Sequence, residues 1–91
     1  MNNEELQTAR DFILRAAGRM PRGISQSTLE ISLPSVGIQL PESGSDSLDA
    51  QIGYLIGAGL LQAKRPRHTP SLILYTLTPA GEDYLRSANL L

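Results

Sequence analysis

Ser45-Asp46-Ser47-Leu48-Asp49-Ala50-Gln51-Ile52-Gly53-Tyr54-Leu55-Ile56-Gly57-Ala58-Gly59-Leu60-Leu61-Gln62-Ala63-Lys64-Arg65 is the stretch on which the fold turns. Leu48, Ile52, Leu55 and Ile56 recur at the three- and four-residue steps of one helix face, predicting a helix over 46–58. Ser45 or Asp46 is suited to cap its start, and Gly59 to end it as the left-handed residue after the last turn. In that terminating motif Leu60 and Leu55 are the pair expected to touch. Gly53 and Gly57 lie inside the helix at a cost in propensity and are expected to permit close helix packing. Residues 60–65 then read as a short strand.

Leu72-Ile73-Leu74-Tyr75-Thr76-Leu77 is a stronger strand over 72–77, rich in aliphatic residues with one aromatic and two β-branched members. The six residues between the strands, Pro66-Arg67-His68-Thr69-Pro70-Ser71, fit a hairpin loop. Thr78-Pro79 supplies a cap followed by proline at the first helical position, predicting a helix over 79–88 with Tyr84, Leu85 and Ala88 on its buried face.

Toward the N-terminus, Leu6, Ala9, Ile13, Ala17 and Met20 mark one face of a helix over 3–18. Asn3 can cap it, Glu4 and Glu5 complement its positive end, and Arg15 and Arg19 its negative end. Residues 24–40 are ambiguous. Leu29, Ile31 and Leu33 alternate as in a strand, whereas Leu29, Leu33 and Val36 follow helical spacing with Ser25 or Ser27 as cap. Pro34 limits any helix here, and a short one over 26–33 is the preferred reading. Pro41-Glu42-Ser43-Gly44-Ser45 is a loop by composition.

The chain has 91 residues, 8 Lys and Arg against 9 Asp and Glu, one histidine and no cysteine. That length supports a single domain, 1–91, with one modest core. The absence of cysteine excludes disulfides and thiolate metal sites. No apolar run reaches the length of a membrane span, and acids stand near the N-terminus where a signal peptide carries bases, so a cytoplasmic protein is expected. A net charge of −1 supplies no global attraction to nucleic acid or lipid, so any such binding must be local.

Two stretches resemble winged helix-turn-helix regulators. Tyr54-Leu55-Ile56-Gly57-Ala58-Gly59-Leu60-Leu61 is similar to the YLxxxGLL end of their third helix. Tyr75-Thr76-Leu77-Thr78-Pro79-Ala80-Gly81-Glu82-Asp83-Tyr84-Leu85 is similar to the exit of the wing in the multiple-antibiotic-resistance and phenolic-acid types. Small prophage proteins look similar too. The resemblance covers about half the chain. It implies an α+β winged helix: a three-helix core, a two-stranded β-hairpin wing and a C-terminal helix. It also implies a transcriptional regulator of bacterial or phage origin, a homodimer through the last helix, and double-stranded DNA as partner. The third helix would enter the major groove and the wing would meet the backbone. The matching positions are Ser47, Asp49, Ala50, Gln51 and Tyr54 on the helix and Lys64, Arg65, Arg67 and His68 on the wing.

Lys64, Arg65 and Arg67 put three of the eight strong bases within four residues, with no acid between Asp49 and Glu82. They are the candidate phosphate contacts, His68 standing beside them and Arg22 extending the patch. Ser47 and Gln51 are the candidate polar contacts of the third helix. Against them, residues 43–61 contain two Asp and neither Lys nor Arg, and Asp46 and Asp49 repel phosphate. A second reading is therefore a winged-helix interaction or oligomerisation module without DNA binding, its partner docking on the Asp46/Asp49 face. The lone histidine and scattered glycines offer no metal site, catalytic dyad or phosphate loop, so neither a cofactor nor an enzymatic activity is expected.

Overall fold

The computed structural model describes residues 2–69 and 71–90; Pro70 of the hairpin loop and Leu91 of the apolar tail lie outside the described residues. Among the described residues the chain is a small α+β fold of four helices and one three-stranded antiparallel sheet. The order is α1 (Asn3–Gly18), β1 (Ile24–Ser25), α2 (Gln26–Ser35), α3 (Leu48–Gly57), β2 (Leu61–Lys64), β3 (Leu74–Leu77) and α4 (Pro79–Ser87). No helix among these residues is long and apolar enough to cross a membrane.

The apolar stripe of α1 does what its spacing implies: Leu6, Ala9, Ile13 and Ala17 are buried, joined by Leu14. Met20, at the end of the expected stripe, is exposed because the chain has already left the helix. The core forms where α1 meets Leu29 and Leu33 of α2, Ile52 and Leu55 of α3, Leu61 and Tyr75 of the sheet, and Leu85 of α4. The cap is Asn2 rather than Asn3, its Oδ1 accepting the Glu5 N–H at 2.8 Å.

The ambiguous segment holds both a strand and a helix. Ile24 pairs with Tyr75 and Ser25 with Leu74, so the expected two-stranded hairpin is a three-stranded sheet in the order β1-β3-β2. Ser25 then caps α2, accepting the Thr28 N–H at 3.3 Å. Leu29 and Leu33 are buried while Ile31 is 75% exposed, which is helical geometry and not strand alternation. Pro34 sits in the last turn, where few hydrogen bonds remain to be lost, and α2 runs to Ser35, two residues past the expected limit.

Three helices end in the same six-residue device. After α3, Leu60 N–H donates to Leu55 O and Gly59 N–H to Ile56 O, both at 3.0 Å, with Gly59 at φ 79°. Gly37 and Ile38 repeat this after α2, and Asn89 and Leu90 after α4. The pairs satisfy carbonyls that a helix end otherwise leaves bare. Because Leu60 belongs to this turn, β2 begins at Leu61 rather than 60. Leu72 N–H is likewise used in a turn to Thr69 O, which holds residues 72–73 out of the ladder.

Two expectations for α3 are corrected. Its cap is Ser47 and neither Ser45 nor Asp46; Ser47 Oγ accepts the Ala50 N–H at 3.2 Å and donates to Gly44 O at 2.9 Å. Gly53 and Gly57 do not mediate close packing, since a Cβ at either position would meet no atom within 4 Å. Both are exposed. Gly53→Ala and Gly57→Ala are therefore each expected to raise stability by about 0.5–1 kcal/mol, by lowering the entropy of the unfolded chain. Urea unfolding should show a higher midpoint with unchanged slope.

Candidate interaction face

At about 3.6 residues per turn, the buried side of α3 is Leu48, Gln51, Ile52 and Leu55, and the crest opposite them is Ala50, Gly53 and Gly57. Asp49 and the partly exposed Ile56 flank the crest on one side and Tyr54 on the other. The crest carries no side chain longer than a methyl group.

Ser47 and Gln51, the candidate base contacts, are not on this crest. Ser47 is 5% exposed and committed as the cap. Gln51 is 1% exposed, its Oε1 accepting from Arg10 Nε at 2.8 Å and its Nε2 donating to Ser45 O at 3.1 Å. The Arg10 guanidinium also lies 3.8 Å from the centroid of the Tyr54 ring, a stacked cation over the π face. Gln51 is thus the hub between α1, α3 and the loop before α3.

Nearby, Tyr84 of α4 donates its hydroxyl proton to Asp11 Oδ1 at 2.6 Å, and Gln7 Nε2 donates to both Asp11 and Tyr84. The bond to Asp11 holds the Tyr84 hydroxyl above the ordinary phenol range, with burial adding to it. This network fastens α4 to α1. Neither Arg10 nor the Asp11–Tyr84 pair stands out in the sequence, because each is one polar residue on a helix and only the packing of three helices joins them.

Lys64 ends β2, while Arg65, Arg67 and His68 lie in the loop beyond it; all four are exposed. Arg22 does not join them. It occupies the turn before β1, whose Ser25 lies level with Lys64 across Leu74, so Arg22 sits at the opposite end of the sheet from the hairpin loop.

On the other side of Asp49 is a groove of about 400 Å³ between α2, the α2–α3 loop and the start of α3. Its floor includes Leu33, Ile38 and Leu40, and Glu30, Glu42 and Asp49 line it as carboxylates. Tyr75 is a buried residue of β3. Its hydroxyl is raised above the ordinary phenol range mainly by burial, then by Asp49, while Arg65 opposes the shift. Ser25, which leads into the groove residue Gln26, and Lys64, which leads into the basic loop, both pair with Leu74, so the acidic groove and the basic loop adjoin at one end of the sheet. Among the described residues no group of three or more His, Asp or Glu is placed to hold a metal ion.

No protein-family model matches the chain, and neither a curated protein nor a solved structure gives a significant match to it.

Proposed function

We propose that the chain is a winged-helix-type interaction module that docks a protein partner through the exposed side of α3 and the groove beside it. The order of helices around a β1-β3-β2 sheet supports the winged-helix reading. The observation that carries the functional reading is the crest of α3. A helix that reads DNA presents side chains long enough to reach base edges. Ala50, Gly53 and Gly57 present none, and Gln51, the residue of this helix suited to read a base, is buried in a bridge to Arg10.

Electrostatics points the same way. A duplex approaching α3 meets the exposed Asp49, and Glu30 and Glu42 line the groove beside it. A partner protein with cations facing those carboxylates gains where a phosphate backbone loses. The two exposed glycines fit this role, since alanine at either place would suit the fold better and the bare crest serves only what approaches from outside.

The second reading is a duplex-DNA regulator in which Lys64, Arg65 and Arg67 of the wing neutralise phosphates. It is favoured by the exposure of all three within four residues. Fluorescence anisotropy with a random-sequence duplex separates the two. The interaction module is expected to show no saturable binding at low salt. Micromolar binding with a log–log salt slope of about −3 or steeper would overturn it and assign the wing to DNA.

A further inference from the structure

We infer that the groove beside α3 receives the β2–β3 loop of a second copy of this chain, so that two molecules associate face to face about a twofold axis. This rests on the interaction-module reading and adds the identity of the partner.

The groove asks for a particular chemistry. Leu33, Ile38 and Leu40 offer apolar surface, and Glu30, Glu42 and Asp49 add negative charge at its edge. Long cationic side chains answer both features, laying methylene stems on the apolar floor and charged heads against the carboxylates. The chain carries such a segment itself: Lys64 ends β2 and Arg65-Pro66-Arg67 continue into the loop beyond it, with the three cations exposed.

Symmetry then becomes the deciding point. A twofold interface requires each molecule to offer both halves of the contact on one face. The strand register places them together: Ser25 and Lys64 both pair with Leu74 at the hairpin end of the sheet, and Gln26, the residue after Ser25, lines the groove. Rotation about an axis near the α3 crest lays each loop in the other molecule's groove. Were the two patches on opposite faces, the same attraction would build open chains instead. The crest between them is compatible with this approach, because Ala50, Gly53 and Gly57 let two α3 axes come close. Tyr54 and Ile56, both partly exposed, supply apolar area at its margins.

Sedimentation analysis of the intact protein tests this with charge reversals on exposed positions. Wild type is expected to dimerise at about 100 μM in low salt and to lose affinity at least about tenfold near 0.5 M salt, where surface charges are screened. Lys64→Glu/Arg67→Glu and Glu30→Lys/Glu42→Lys should each be monomeric and, by circular dichroism, folded. Mixed in equal amounts they should pair again, because both loop–groove contacts of the heterodimer join opposite charges while those of either homodimer join like ones. A wild type that stays monomeric at about 500 μM, a dimer indifferent to the reversals, or a mixture that does not pair would each overturn the inference. A monomer that also ignores duplex DNA would remove the second copy as partner and keep the interaction module. Steeply salt-dependent DNA binding would remove the module itself.

Discussion

Gly81→Ala is expected to destabilise the protein by about 3 kcal/mol, although alanine is the better helix former by about 1 kcal/mol. Gly81 is buried in the first turn of α4, and a Cβ there would run into the carbonyl oxygen of Leu60 and the side chain of Leu77. Leu77 can rotate; Leu60 has little freedom. Its N–H closes the turn that ends α3, and its carbonyl accepts the Thr78 N–H at 3.1 Å. Thr78 is fixed in turn by donating to Gly59 O at 2.6 Å while capping Gly81 N–H at 3.0 Å. Two backbone segments, 59–60 and 77–81, thus meet at one corner with no slack, and a methyl group must either break these bonds or push α4 off the core. For a domain of this size the midpoint of thermal unfolding should fall by about 12–24 °C. A fall below about 4 °C would show that the corner yields.

Gln51→Ala is the second large effect, about 2–4 kcal/mol, with two sources. Truncation leaves a void beneath α3, and it strips the Ser45 carbonyl and the Arg10 guanidinium of their partner. Gln51→Met keeps most of the volume and should recover part of the loss, which separates packing from hydrogen bonding. Chemical denaturation of both variants checks this. If Gln51 instead contacted a ligand from the surface, its loss would leave stability within about 0.5 kcal/mol of wild type.

Where a boundary depends on local chemistry, the sequence is legible. Gly59 ends α3 with Leu60 bonded back to Leu55, and Thr78-Pro79 starts α4, as their residue types require. Where several residues compete for one role, it is not. Ser45, Asp46 and Ser47 are all competent caps, and the choice falls on Ser47 because the helix must begin at Leu48 to bury it with Ile52 and Leu55. The β1 strand is two residues long and carries no period of its own; its partner Tyr75 stands far along the chain.

The candidate site divides the same way. The cations at 64, 65 and 67 are exposed, as their clustering in a loop suggests. Ser47 and Gln51 read as surface polar residues, and only the arrival of Arg10 from α1 makes a buried glutamine tolerable. The acidic groove was half visible as Asp49. Glu30 and Glu42 join it through the return of residues 38–42 along α2, which no local pattern announces.

The smallest element has a consequence for how the chain reaches this structure. Joining Ile24 to Tyr75 closes a loop of about fifty residues, an entropic cost that no neighbour in sequence helps to meet. The helices and the β2–β3 hairpin are local and form quickly, whereas β1 can dock only once β3 exists to receive it. Since β1 leads directly into the cap of α2, the α2 side of the groove is set in place by the most long-range contact of the sheet. On a ribosome, β1 would wait for its partner strand until residues 74–77 had been made, and the α2 side of the groove would be fixed only then.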